Sequence, residues 1–365
     1  MTSQQEVLFE VNNQVGWIIL NRPKALNALS LGMVKSIYQQ LKEWKNDEEV
    51  QLVCMKSMLE KAFCSGGDVR TLREQSMSGD KTFAEEYFSS EYKMDMLVHE
   101  YPKPVLVYMN GIVMGGGVGM AAGSSFKIVT EKTKWAMPEQ NIGLFPDVGA
   151  SYFLNKFPRE MALYLALSAS VITAKDLLDI GGADYYINSE RWTELEEKIK
   201  NGDWKSADVE GQLQRLIQDV SQADESLTGT LNPQKIKEHF GFDTVEEIVD
   251  SLGSAAAAGD EWAEEMRNTL LKKSPTSLKV TMEQIKRGKT KSMKECFEME
   301  LEMAIEFMGQ HDFFEGVRAV LVDKDHAPNW NPKELSEISD TYVEQYFKEH
   351  WPEGNPLCSY KTAAE

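Results

Sequence analysis

Residues 109–123 read Met-Asn-Gly-Ile-Val-Met-Gly-Gly-Gly-Val-Gly-Met-Ala-Ala-Gly, directly after an apolar run at 104–108. A strand that ends in Gly115, Gly116, Gly117 and Gly119 leaves main-chain N–H groups bare at a helix start. Unpaired N–H groups and the helix dipole both favour negative charge there. A second patch of this kind is Phe63-Cys64-Ser65-Gly66-Gly67-Asp68. Two N–H donors brought together from separate loops would form an oxyanion hole, which stabilises an enolate or a tetrahedral thioester adduct.

Downstream stand two acids, Glu139 and Asp147, in Met137-Pro138-Glu139-Gln140-Asn141-Ile142-Gly143-Leu144-Phe145-Pro146-Asp147-Val148-Gly149. The stretch is otherwise uncharged and rich in Pro, Gly and Phe. Desolvation there would raise a carboxyl pKa, as suits a general acid or base. The structural alternative has Glu139 capping a turn and Asp147 capping a helix that starts near Val148. Gly117-Val118-Gly119-Met120-Ala121-Ala122 also fits the loose GxGxxA dinucleotide form. The acid expected at the next strand tip would then be Glu139, but Pro138 interrupts that strand. A third reading is that the glycines only allow close helix–strand packing. The histidines (His99, His239, His311, His326, His350) are scattered and there is no GxSxG, so a Ser–His–Asp mechanism is not supported.

The elements that must position these groups alternate in the first half of the chain. Residues 7–11 and 16–20 read as two strands joined by a hairpin turn at Asn12-Asn13-Gln14. Ser30 caps an amphipathic helix with Met33, Val34, Ile37 and Leu41 on one face. Residues 51–57 read as a strand, 83–101 as a helix broken by Pro102 and Pro104, and 105–109 as a strand. A small-residue helix follows near 118–123, with short strands at 126–130 and 134–137, a loop at 138–146 and helix again from 148. This rhythm predicts an α/β fold of repeated ββα units. Strand signal fades at 184–188, and residues 191–350 are helical in pattern, punctuated by Asn232-Pro233, Gly253 to Gly259 and Ser274-Pro275. The composition shift divides the chain into 1–188 and 189–365.

The 365 residues carry a formal net charge of −19. That charge argues against nucleic acid as a partner, since phosphate binding needs concentrated Lys and Arg. Cys54, Cys64, Cys296 and Cys358 form no CxxC pair, so reduced thiols are expected and a zinc site is not. No apolar run is long enough to span a membrane. The start, Met1-Thr2-Ser3-Gln4-Gln5-Glu6-Val7, shows neither an Arg-rich leader nor a signal-peptide core, and a cytoplasmic protein is the expectation drawn from it.

These motifs, in order, resemble the crotonase (enoyl-CoA hydratase/isomerase) superfamily. The matching features are Asn21-Arg22-Pro23-Lys24-Ala25-Leu26-Asn27-Ala28-Leu29, Phe63 to Asp68, Asn110-Gly111 through Gly119, Pro138-Glu139, and Asp312-Phe313-Phe314-Glu315-Gly316-Val317-Arg318-Ala319 with Asp323-Lys324-Asp325. The resemblance implies a crotonase-like spiral of ββα units with a helical C-terminal region. It further implies an acyl-CoA thioester substrate, its carbonyl oxygen held by the N–H groups of Gly67 and Gly116. CoA is then part of the substrate, no separate cofactor or metal is called for, and a homo-oligomer is allowed. Within the superfamily, Met114 to Gly119, Gly143 to Gly149, Ser274-Pro275-Thr276-Ser277-Leu278-Lys279 and His311 to Arg318 are most similar to the hydrolases of 3-hydroxyacyl-CoA thioesters. By that resemblance Glu139 and Asp147 are the catalytic pair and Glu91 contacts substrate. Arg22 and Lys24 lie in a loop expected to run beside the CoA. Hydratases of the superfamily carry a further glutamate in a Gly-Gly-Gly-x-Glu run, and this chain has Gly119 there. The rival expectations are an enoyl-CoA hydratase or isomerase, and a catalytically silent binder of CoA esters.

Overall fold

The structure is a computed structural model that describes residues 5–79, 81–205, 207–221, 224 and 226–361. Of the start discussed above, Met1 to Gln4 lie outside the described residues. Strands β1 (Val7–Asn12) and β2 (Val15–Leu20) form the expected hairpin, with Asn12 paired to Val15. Asn13 and Gln14 both take positive φ, 48° and 63°, as a two-residue hairpin turn requires. Beyond it come β3 (Leu52–Ser57), β4 (Ala62–Cys64), β5 (Val105–Met109), β6 (Ile112–Met114), β7 (Phe126–Val129), β8 (Lys134–Ala136), β9 (Ile172–Thr173) and β10 (Tyr185–Tyr186).

The strands sort into two sheets, one in the order β1-β2-β3-β5-β7-β10 and one in the order β4-β6-β8-β9. Every neighbouring pair is parallel except β1 with β2 and β8 with β9. The chain therefore places β3, β5 and β7 in the large sheet and the strand after each, β4, β6 and β8, in the small one. Helices return it to the start of the next unit. These are α1 (Leu31–Lys45), α2 (Val69–Met77), α3 (Lys81–His99) and α4 (Gly116–Ala122). This is the spiral of ββα units expected from the alternation of strand and glycine-turn signals.

The strand alternation of β2 shows where the cores lie. Ile18 and Leu20 face one core, while Val15, Trp17 and Ile19 face another on the opposite side of the sheet. The second core is closed by Trp192, Leu195, Ile199, Leu213 and Ile217, from helices Trp192–Lys200 and Val209–Val220. The first core runs from Val7 to Tyr360 and takes in helices Pro275–Gly288 and Met293–Phe307. Residues on both sides of position 188 thus share both cores. No described helix is long and apolar enough to cross a membrane.

Local readings differ from the structure in three places. The segment read as a loop at 138–146 holds a 3₁₀ turn, Glu139–Ile142. The helix expected from Val148 starts at Ala150, because Val148 and Gly149 are left-handed at φ 51° and 87°. Gly253 does not break the chain but lies inside helix Val245–Ala257, and Gly259 at φ 96° follows its end.

The N-cap of α1 is as expected, the Ser30 hydroxyl accepting from Met33 N–H. Ser30→Ala should lower the unfolding free energy by about 1 kcal/mol in urea denaturation, with an unchanged m-value.

Candidate active site

Asn27 ties the loop after β2 to the loop after β4. Its side chain is fully buried, donates to Ser57 Oγ at 2.7 Å and Phe63 O at 2.9 Å, and accepts from Arg22 N–H at 2.8 Å. Ser65 N–H bonds Leu26 O and Leu29 N–H bonds Gly66 O, which lays Gly66-Gly67 along residues 26–29. Asp68 then caps α2 by accepting from Thr71 N–H.

Gly66, at φ 113°, adjoins the turn into α4: a Cβ built on it would lie 3.8 Å from Gly115 Cα and 3.9 Å from Gly116 N. Gly115 itself has φ 48° and ψ −121°, a conformation that essentially demands glycine. Among the described residues, neither Gly67 N–H nor Gly116 N–H has an acceptor. The two donors named from the sequence therefore lie in adjoining loops, both uncommitted.

The acids converge beside them. A Cβ on Gly115 would lie 2.7 Å from Glu139 Oε1, and one on Gly116 would collide with Glu91 Oε1. Glu91, Glu139 and Asp147 are each more than nine-tenths buried, at 2%, 7% and 6% exposure. Asp147 is not a helix cap: the residue in that position is Gly149, and Asp147 Oδ2 instead accepts from the Tyr92 hydroxyl at 2.9 Å. Glu139 Oε2 and Glu91 Oε1 have no partner among the described residues.

Burial sets the protonation of this group. Desolvation first, then the charge of Asp147, pushes the Glu139 carboxyl well above its usual range. Desolvation also raises Asp147, to about 6, against the hydrogen bond from Tyr92 that favours its anion. The charge of Asp147 thus adds to burial in opposing ionisation of Glu139. Burial and Asp147 raise Glu91 likewise.

Several residues that sequence reasoning did not assign hold the acids in place. Glu300, from helix Met293–Phe307, accepts from Gly149 N–H at 2.7 Å, Ser151 N–H at 2.8 Å and Ser151 Oγ at 2.5 Å. Gln284 links it to Pro146 O. These bonds pin the loop in which Val148, a β-branched residue, is left-handed and strained. Gln140 bonds Thr281 Oγ1 at 2.8 Å and anchors the turn that carries Glu139. The motif at 311–318 backs the same turn: a Cβ on Gly316 would clash with Ile142, and Asp312 accepts from Ser274 Oγ and Asn331 N–H. Glu300 gave no sequence signal beyond an acid on an apolar helix face.

Arg22 is brought near the site but is fully engaged. Its guanidinium pairs with Glu6 at 2.8 Å and Asp68 at 2.7 Å and donates to Ala28 O. Lys24 is exposed on the 3₁₀ turn Pro23–Ala25. Among the described residues no group of His, Cys, Asp and Glu has the arrangement of a metal site.

The enoyl-CoA hydratase/isomerase family model matches residues 15–347. The chain belongs to this family. It is 42% identical over 344 residues to the 3-hydroxyisobutyryl-CoA hydrolase, mitochondrial, of Danio rerio, covering 94% of this chain and 89% of that protein. The Homo sapiens protein of the same name is 38% identical over 346 residues, again covering 94% and 89%. Among solved structures, a carnitinyl-CoA dehydratase from Mycobacterium thermoresistibile aligns with TM-score 0.86 at 32% identity, covering 96% of this chain and 98% of that one. An enoyl-CoA hydratase from Rhodobacter sphaeroides aligns with TM-score 0.83 at 30% identity, covering 94% and 97%. The mitochondrial naming of the relatives overturns the expectation of a cytoplasmic protein. A targeting address is read apart from the folded body, so the pattern of the first residues does not decide the compartment.

Glu300→Ala should leave the Gly149 and Ser151 N–H groups buried without an acceptor, lowering stability by about 1–3 kcal/mol and turnover with it. Burial raises the Glu300 carboxyl to about 7. Its contribution is fully present below the unfolded carboxylate pKa and lost as pH rises through 7. Wild type should therefore lose stability relative to Glu300→Gln between about pH 4 and pH 7, read as the difference between their melting temperatures across pH.

Proposed function

We propose that this chain hydrolyses 3-hydroxyisobutyryl-CoA to 3-hydroxyisobutyrate and CoA, the thioester step of valine breakdown. The observation that carries the reading is the joining of two uncommitted N–H groups, Gly67 and Gly116, with two buried carboxyls, Glu139 and Asp147. The name shared by the relatives at 38–42% identity supports the same substrate.

The thioester oxygen lies between Gly67 and Gly116, where negative charge develops on attack at the carbonyl. In its ionised form Glu139 either attacks the carbonyl, giving an anhydride that water opens, or takes a proton from the attacking water, and its raised pKa makes that anion the stronger base. In both routes the reaction needs a base and an acid, and Glu139 and Asp147 offer two carboxyls for the two roles. The proton goes to the departing CoA sulfur, and the water oxygen ends in the product carboxylate. Tyr92 holds Asp147 in place. Lys24 is the exposed cation of the loop beside the CoA; Arg22, already paired with Glu6 and Asp68, holds that loop in shape.

The solved relatives are named a dehydratase and a hydratase, so addition of water across a double bond is the rival chemistry. Position 119 weighs against it. A Cβ there would lie 2.7 Å from Val148 Cβ and 2.8 Å from Asp95 Oδ2, which leaves no room for an acidic side chain.

The test is release of free thiol from 3-hydroxyisobutyryl-CoA, run beside loss of the enoyl absorbance of crotonyl-CoA. Thiol from the hydroxy ester is expected. Glu139→Gln should lower kcat by about 10³-fold or more while the CoA ester still binds. Thiol-free consumption of crotonyl-CoA, or full activity in Glu139→Gln, would overturn the reading.

A further inference from the structure

Helix α3 carries Glu91, Asp95 and His99 one turn apart on a single buried face. Each meets a glycine of α4 or its C-cap. A Cβ on Gly116 would strike Glu91 Oε1, one on Gly119 would lie 2.8 Å from Asp95 Oδ2, and one on Gly123 would lie 2.5 Å from the His99 ring. The absence of side chains at those three positions is what lets the polar face of α3 sit there.

Asp95 is the unexplained member. It is fully buried, and neither carboxyl oxygen has a hydrogen-bond partner among the described residues. No cation faces it. The titratable groups around it are Glu91 and His99 on its own helix, Asp147 on the loop before Ala150, Glu300 on helix Met293–Phe307 and Cys64 on β4. An isolated ionised carboxylate in such a place is so unfavourable that the group keeps its proton. Burial, then the charges of Glu91, Asp147 and Glu300, all push it that way.

A protonated carboxyl is a donor, and a buried donor needs an acceptor. Glu300 is already saturated, and Asp147 is held by Tyr92. Two unpartnered buried acceptors flank Asp95 on α3, His99 Nε2 and Glu91 Oε1. Of the two, Glu91 is the one that adjoins the glycine turn, against Gly116, whereas His99 packs against Gly123 at the far end of α4. We propose that Asp95 is a positioning residue whose carboxyl O–H donates to Glu91, and that Glu91, so held beneath Gly116, accepts the hydroxyl of the substrate's acyl group. The Glu91–Asp95 pair is then the determinant that separates hydroxyacyl from plain acyl thioesters. An ester without the hydroxyl leaves a buried acceptor unsatisfied, which is the strongest form of discrimination a site of this kind has.

The proposal rests on the hydrolase reading above, and its test separates the two. Thiol release is compared for 3-hydroxyisobutyryl-CoA and isobutyryl-CoA with wild type, Asp95→Asn and Asp95→Leu. Where the plain ester is not turned over, its Ki as a competitor replaces kcat/KM. Asp95→Leu keeps the volume against Gly119 but removes the donor, and should lower the preference for the hydroxy ester about tenfold or more. Asp95→Asn keeps an N–H donor and should restore the preference to within about threefold of wild type. In wild type the preference should fall at alkaline pH, as Asp95 loses its proton and with it the donor, and in Asp95→Asn it should not. Melting temperatures of the two variants separate a folding defect from a loss of preference. Equal losses on both esters, an unchanged preference in Asp95→Leu, or an alkaline fall that persists in Asp95→Asn would each overturn the proposal. Absence of thiol release from the hydroxy ester in wild type would instead overturn the hydrolase reading.

Discussion

Glu91, Asp95, Glu139, Asp147 and Glu300 are buried together, and among the described residues no lysine or arginine is a leading influence on any of them. Charges of one sign in a dry interior cannot all be present, so protons must be retained or hydrogen bonds supplied. The surrounding structure answers this constraint in two ways. Glu300 and Asp147 receive donors from the backbone and from Tyr92, while Glu91, Asp95 and Glu139 are driven towards their neutral forms. Carboxyls held by donors and carboxyls driven neutral thus lie side by side behind the turn at Gly115 and Gly116.

The same constraint explains the packing of α3 on α4. A helix face bearing carboxyls can be buried only where the opposing helix offers space, and Gly116, Gly119 and Gly123 provide it. The glycines therefore serve two ends. At Gly115 and Gly116 they shape the turn that frees an N–H group, and at Gly119 and Gly123 they admit the side chains of Asp95 and His99. The packing role of these glycines and the freed N–H group thus belong to different positions of one run.

The C-terminal helices act on the site from behind. Glu300 pins the strained Val148-Gly149 turn, Thr281 holds Gln140, and the segment at Gly316 backs Ile142. Such support places Glu139 and Asp147 on a rigid frame, as a reaction that depends on sub-ångström placement requires. It also shows why motifs far apart in the chain accompany one another: those at 274–279 and 311–318 touch each other and the turn that carries Glu139.

The ββα units, the caps at Ser30 and Ser274, the glycine turn at 115–119 and the prominence of Glu139 and Asp147 could be read from local patterns, while the spiral came from the family resemblance. Caps, turns and strand alternation are short-range rules, and an acid in an apolar stretch announces itself. The positive φ of Val148 could not be read, because a β-branched residue resists that conformation and its loop is held by Glu300 and Gln284, far along the chain. Asp95 and Glu300 were silent for a related reason. On a helix, an acid among apolar neighbours looks like one more solvated charge until the opposing surface is known. The sequence placed Arg22 in a loop beside the CoA only by resemblance, and folding brings Glu6 and Asp68 onto its guanidinium. Local chemistry sets which groups the chain can present, whereas burial and long-range hydrogen bonds, which exist only in the folded chain, decide which of them keep a charge, a proton or a free N–H.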